Sequence, residues 1–165
     1  MSEPLAGLTP STTYHFQMCA QDGESPPRAV CSKDATFTTL SPAGQRALAV
    51  AQQYRGTPFV YGGASPATGF DDDGLVQYAF GQAGVTLPRL ACQQIDAGAP
   101  VAQASLQAGD LVFVQDTSGF VDHVGIYEGG GSFFHAPHTG AVLGSNSLSE
   151  PFYATRFAGG RRISG

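Results

Sequence analysis

Few side chains in this sequence could carry chemistry. Three carboxylates stand in a row, Asp71-Asp72-Asp73, ahead of a helical run from Leu75 to Gln82, and the chain holds four histidines and three cysteines. A carboxylate beside an imidazole can move a proton or activate a water, and a thiolate can attack a carbonyl. Adjacent like charges repel, although the unsatisfied N–H groups of a helix N-terminus partly offset this. Asp71 and Asp73 therefore read as an acidic helix cap. His123 and His135 fall in short β-prone segments, His123-Val124-Gly125-Ile126-Tyr127 and Ser132-Phe133-Phe134-His135. A period of two puts both imidazoles on one face of adjacent strands. Cys92, in a helical stretch after Leu87-Pro88-Arg89, has no base beside it and reads as a small thiol, buried or partly exposed. Cys19 and Cys31 lie on two neighbouring β-prone runs. They could form a disulfide in an oxidising compartment, and two buried thiols is the other reading.

These groups must be held by elements that the sequence also outlines. Residues 1–40 show alternation at Tyr14, Phe16, Met18 and Ala20, then a polar turn over residues 21–27, then a second β-prone run ending in Ala35-Thr36-Phe37-Thr38-Thr39. This predicts a β-hairpin, marginal in isolation. Ser41-Pro42 opens a new unit over 41–165, with Ser41 as N-cap and Pro42 at the first helical position. Helix formers continue to Tyr54, and Gly56-Thr57-Pro58 stops the helix. Leu111-Val112-Phe113-Val114, the two histidine segments and Ala141-Val142-Leu143 predict short strands separated by Gly and Asp. Helices first and strands afterwards predict an α+β fold, helices packed on a central antiparallel sheet.

At 165 residues, with 42% hydrophobic and 13% charged side chains, the chain has the composition of a globular protein rather than a disordered one. Eight basic and 13 acidic residues give a net charge of −5 without a basic run, which argues against nucleic acid as a partner. No apolar run approaches the ~20 residues of a membrane-spanning helix. The N-terminus shows no charged leader followed by an apolar stretch, and the sequence reads as beginning inside a domain. Oligomeric state is not legible in the sequence.

Several separated motifs resemble one family. Phe70-Asp71-Asp72-Asp73-Gly74-Leu75-Val76 resembles the F-D-C-S-G-L-V signature of the NlpC-type cell-wall cysteine peptidases, papain-like enzymes that cut peptidoglycan stem peptides. Gly56-Thr57-Pro58-Phe59-Val60-Tyr61-Gly62-Gly63, Leu87-Pro88-Arg89-Leu90 with Gln93-Gln94, and Leu106 to Phe113 resemble further segments of that family. So do Asp122 to Tyr127, Phe134-His135-Ala136-Pro137 and the closing Phe157 to Ile163. Residues 1–40 resemble the last two strands of a fibronectin type III module, through L-x-G-L-x-P-x-T-x-Y-x-F and a later F-T-T. Such modules are spacers in extracellular bacterial proteins.

The resemblance implies roles. The family's cysteine, its base and the residue orienting that base fall on Asp72, His123 and His135. Tyr61, Gly62, Gly63, Asp73 and Arg89 become residues that line or shape a cleft for a peptidoglycan stem peptide. No cofactor is implied, and the setting is extracellular or the cell envelope. Two departures matter: Asp72 and Asp73 replace the cysteine and serine, and Phe59 replaces a frequent tyrosine. A carboxylate keeps the charge logic of a thiolate and loses its nucleophilicity. The leading expectation is a degenerate peptidase that holds the stem peptide without cutting it. The alternatives are an active hydrolase of the D-glutamyl-diaminopimelate endopeptidase type whose natural form has Cys at 72, a metal site of Asp72, His123 and His135, or a purely structural relic.

Overall fold

The computed structural model describes residues 7–9, 12–21, 23, 29–39 and 42–164. Ser41 and most of the turn expected over residues 21–27 lie outside them. The chain divides into two compact units, Met1–Leu40 and Ser41–Gly165.

In the first unit, β1 (Thr13–Phe16) and β2 (Cys19–Gln21) run antiparallel to β4 (Ala35–Thr38) and β3 (Ala29–Cys31), respectively. Tyr14 stacks on Phe37, ring centroids 5.7 Å apart. Cys19 lies opposite Cys31 in the ladder and the two are disulfide-bonded, which decides between the two readings of these thiols. The expected burial of alternate residues is not reached: Phe16, Met18 and Ala20 are exposed. Among the described residues each sheet of this unit has two strands, too few to bury an apolar face of their own.

The second unit opens with α1 (Pro42–Gln52), then the short pair β5 (Ala64–Ser65) and β6 (Gly69–Phe70), α2 (Asp72–Gln82) and the single turn α3 (Ala91–Gln94). Five strands follow: β7 (Ala99–Val101), β8 (Leu111–Gln115), β9 (Val121–Gly129), β10 (Ser132–His135) and β11 (Gly144–Ser147). The turn α4 (Pro151–Ala154) and β12 (Phe157–Arg162) complete it. The sheet is antiparallel, with strand order β11-β10-β9-β8-β12-β7. This is the α+β arrangement expected, helices against a central antiparallel sheet.

Alternation explains the layering. Leu111, Phe113, Val124, Ile126 and Phe134 turn one face of the sheet toward Ala43, Ala47 and Ala51 of α1 and Leu75, Val76, Ala79 and Phe80 of α2, all essentially inaccessible. Val112, Tyr127 and Phe133 point to the other face and pack with Leu148. Small residues let the helices approach closely. A Cβ on Gly74 would lie 2.1 Å from the Gly63 carbonyl oxygen, so the start of α2 seats directly on the turn before β5.

One strand assignment differs from expectation. The strand after β10 is the polar Gly144–Ser147 rather than Ala141–Leu143; Leu143 is buried in the core instead. β12 holds Gly160, where a Cβ would come within 2.7 Å of Leu106 and 2.9 Å of the Val101 carbonyl. Close packing, not turn geometry, calls for glycine there.

Candidate active site

The N-terminus of α2 is built by Asp71. As N-cap it accepts from Gly74 N at 2.8 Å through Oδ1, and its Oδ2 accepts from Gly62 N at 2.9 Å. Arg89 donates to the same Oδ2 at 2.6 Å and, through its other terminal nitrogen, to Asp73. The second oxygen of Asp73 accepts from Ala91 N at 3.2 Å. One guanidinium thus bridges two of the three carboxylates, which removes much of their mutual repulsion. Burial raises both acids, but in Asp71 the bonds from Arg89, Asp73 and Gly74 N outweigh it and hold the carboxyl below its ordinary value. In Asp73, burial and then the charges of Asp71 and Asp72 prevail over Arg89, pushing it up to about 6. Of the pair, Asp71 is the stronger acid.

Asp72 points the other way. Its Oδ2 lies 2.9 Å from His123 Nδ1 and accepts from Val124 N at 3.0 Å. His123 Nε2 is 2.6 Å from His135 Nδ1, and His135 Nε2 is 2.8 Å from Asn146 Oδ1. Asn146 Nδ2 donates to both oxygens of Glu150, at 3.1 and 2.9 Å. This last contact fixes the rest. A carboxylate must face the amide NH₂, so the amide oxygen faces His135, whose Nε2 therefore carries the proton and whose Nδ1 accepts. His123 Nε2 must then donate to His135, and its Nδ1 faces a carboxylate. The proton assignment is thereby consistent from Glu150 through His135 to His123 Nε2. Burial, and then the neighbouring His123, push His135 down to about 4, which keeps it neutral as the relay requires.

The sheet provides the spacing. β9 and β10 pair antiparallel with Phe134 opposite Ile126, which sets His123 and His135 on one face in diagonal positions. Gly125 lies between His123 and Tyr127 on that face. A Cβ there would sit 2.6 Å from the Phe133 ring and 3.0 Å from His135 Cβ, so glycine makes room for the Phe133 ring and the root of the His135 side chain.

A cleft of about 1080 Å³ opens over this site, bordered by Phe59, Tyr61, Gly62, Asp72, Asp73, Arg89, Cys92 and His123 among others. Gly63 and His135 do not border it. Gly63 backs the wall by accepting Asp71 N at 3.0 Å, and His135 is wholly buried behind His123. Asp73 borders the cleft, but both its oxygens are engaged by Arg89 and Ala91. The Asp72–His123–His135 set forms a chain, not three donors converging on one point, because His123 faces a different partner through each nitrogen. Asp71, Asp72 and Asp73 offer oxygens within 4.8 Å of one another, but Arg89 already bridges the outer two. Asn146 and Glu150 escaped the sequence reading. They stand four apart in a polar stretch with no apolar period, and only the fold brings them to His135.

Residues 56–162 match the model of the NlpC/P60 family. The chain belongs to that family. It is 37% identical over 134 residues to the murein DD-endopeptidase MepH of Escherichia coli, covering 79% of this chain and 49% of that protein. The chain thus spans about half the length of that relative. An NLP/P60-family protein of Staphylococcus aureus, described as similar to a lipoprotein, superposes with a TM-score of 0.67 at 38% identity, over 74% of this chain and 42% of the other. RipD of Mycobacterium tuberculosis, described as a non-catalytic NlpC/p60 domain protein adapted to peptidoglycan binding, superposes with a TM-score of 0.61 at 25% identity, over 73% and 97%.

Proposed function

We propose that the second unit holds a peptidoglycan stem peptide in the cleft beside Asp72 and does not cleave it. The observation that carries this reading is the state of Asp72. Its Oδ2 faces His123 Nδ1 and accepts from Val124 N, at the position where the family resemblance puts the nucleophilic cysteine. Attack by a carboxylate on an amide would give a high-energy anhydride, and an ion-paired carboxylate is weaker still as a nucleophile. His123 and His135 are retained at the positions where the family resemblance puts the base and its orienting partner, and Tyr61, Gly62 and Arg89 lie on the cleft wall. That preservation supports a retained ligand rather than a relic. RipD, described as a non-catalytic NlpC/p60 domain protein adapted to peptidoglycan binding, supports this reading.

The first unit is read as the closing strand pair of a fibronectin type III-like spacer, supported by its antiparallel pairing and its sequence motifs. The Cys19–Cys31 disulfide supports an oxidising, extracellular or envelope setting. No helix among the described residues is long and apolar enough to cross a membrane.

Sedimentation with purified peptidoglycan tests the binding half. The native chain is expected in the pellet, and retention no greater than that of a denatured control would refute the reading. Asp72→Cys tests the chemical half. It is expected to release muropeptides weakly at best, because Asp73 and Phe59 remain; robust lysis would show that one substitution alone silences the site.

A further inference from the structure

One cation on the cleft wall has no acidic partner among the described residues. Arg89 is neutralised by Asp71 and Asp73, and Asp72 faces His123. Asp116 is held by its own turn, accepting from Ser118 N at 2.8 Å and Phe120 N at 3.0 Å, and Asp122 is exposed. Arg156 also borders the cleft, and no carboxylate or carbonyl among the described residues accepts from its guanidinium.

Arg156 is nonetheless fixed in place. Its backbone N–H donates to Tyr153 O at 3.1 Å, and its carbonyl accepts from Gln115 N at 3.0 Å, tying its root to α4 and to the end of β8. Its guanidinium carbon lies 4.2 Å from the centroid of the Phe152 ring. Phe152 meets Tyr153 edge-on at 5.1 Å, and Tyr153 meets His135 edge-on at 5.6 Å. The arginine is therefore the outer member of an aromatic stack rooted on the imidazole relay. Stacking uses the face of a guanidinium and leaves its in-plane N–H donors free, a fork that matches a carboxylate.

We propose that Arg156 is the carboxylate-reading residue of this cleft, gripping a free carboxylate of the bound peptide through a bidentate pair. This rests on the proposed stem-peptide reading and adds a specific contact and a specific ligand group. Two carboxylates of a stem peptide could supply that group: the α-carboxylate of its γ-linked D-glutamate and the carboxylate at its C-terminus.

The test is calorimetric titration of the full chain with three forms of L-alanyl-γ-D-glutamyl-L-lysine: the free diacid, the C-terminal amide and the D-glutamate α-amide. A charge-assisted fork predicts that one amidation weakens binding by about tenfold or more, and the sensitive position identifies the carboxylate that is read. In Arg156→Gln the diacid should fall to the affinity of that amide, with the amide unchanged; Arg156→Lys should retain part of the discrimination. An unaltered melting curve confirms that the variants are folded. Equal binding of all three forms, or discrimination that survives Arg156→Gln, overturns the inference and leaves stem-peptide binding standing. Failure of the native chain to bind any of the three overturns both.

Discussion

Replacing Asp73 by asparagine should stabilise the protein at neutral pH and do nothing in acid. Asp73 is 14% exposed and shares Arg89 with Asp71, so one guanidinium faces two carboxylates while Asp72 adds a third negative charge. Its carboxyl is pushed from 3.8 up to about 6, which is about 3 kcal/mol by linkage. The sign follows from proton counts. Between about pH 4 and pH 6 the folded state keeps a proton that the unfolded state has released, so this group makes folding weaker as pH rises. Asparagine removes that cost, retains an acceptor for Ala91 N and leaves Arg89 paired with Asp71. Part of the gain is lost with the Asp73–Arg89 ion pair, so the expected stabilisation is about 1–3 kcal/mol at pH 7, falling to about zero at pH 3.5. Urea titrations followed by circular dichroism at a series of pH values measure this without changing ionic strength. A variant less stable than the parent at pH 7, or a difference that does not vary with pH, would refute the assignment of Asp73 as the surplus charge.

Three other outcomes follow from the same geometry. Gly74→Ala should cost more than about 2 kcal/mol, because its Cβ meets the Gly63 carbonyl at 2.1 Å and Asp71 Oδ1 at 2.7 Å; a melting temperature within a degree of the parent would contradict this. Gly125→Ala should cost about 1–3 kcal/mol and displace the His135 ring, visible as a shift of its imidazole NMR signals. In ¹⁵N NMR, His135 should be a neutral Nε2–H tautomer from pH 5 to 8, and Glu150→Gln should mix its tautomers by freeing the Asn146 amide to flip. An imidazolium signal for His135 at pH 6 would break the relay assignment.

What the sequence disclosed is what apolar alternation and motif order encode. β8, β9 and β10 are buried on both faces or alternate cleanly, so their residues read as strands, and with them came the shared face of His123 and His135. Helix α2 was legible from its run, although it begins at Asp72 rather than Leu75 because Asp71 caps it. The edge strands β7 and β11 were not legible. An edge needs no apolar face on both sides, and Gly144-Ser145-Asn146-Ser147 carries the composition of a turn. The same blindness hid Asn146 and Glu150. The bridge from Arg89 to Asp71 and Asp73 links positions 16 and 18 apart, which no local period reports. Asp73, expected as a ligand contact, is thereby committed to the protein.

The cleft, as we propose, holds its peptide and leaves it intact. Incubating the native chain and His123→Ala with purified peptidoglycan, and quantifying soluble muropeptides by chromatography, tests that directly. Release at the level of buffer alone is expected for both proteins. Release by the native chain that disappears in His123→Ala would show that Asp72 and His123 perform hydrolysis, and would contradict the proposal.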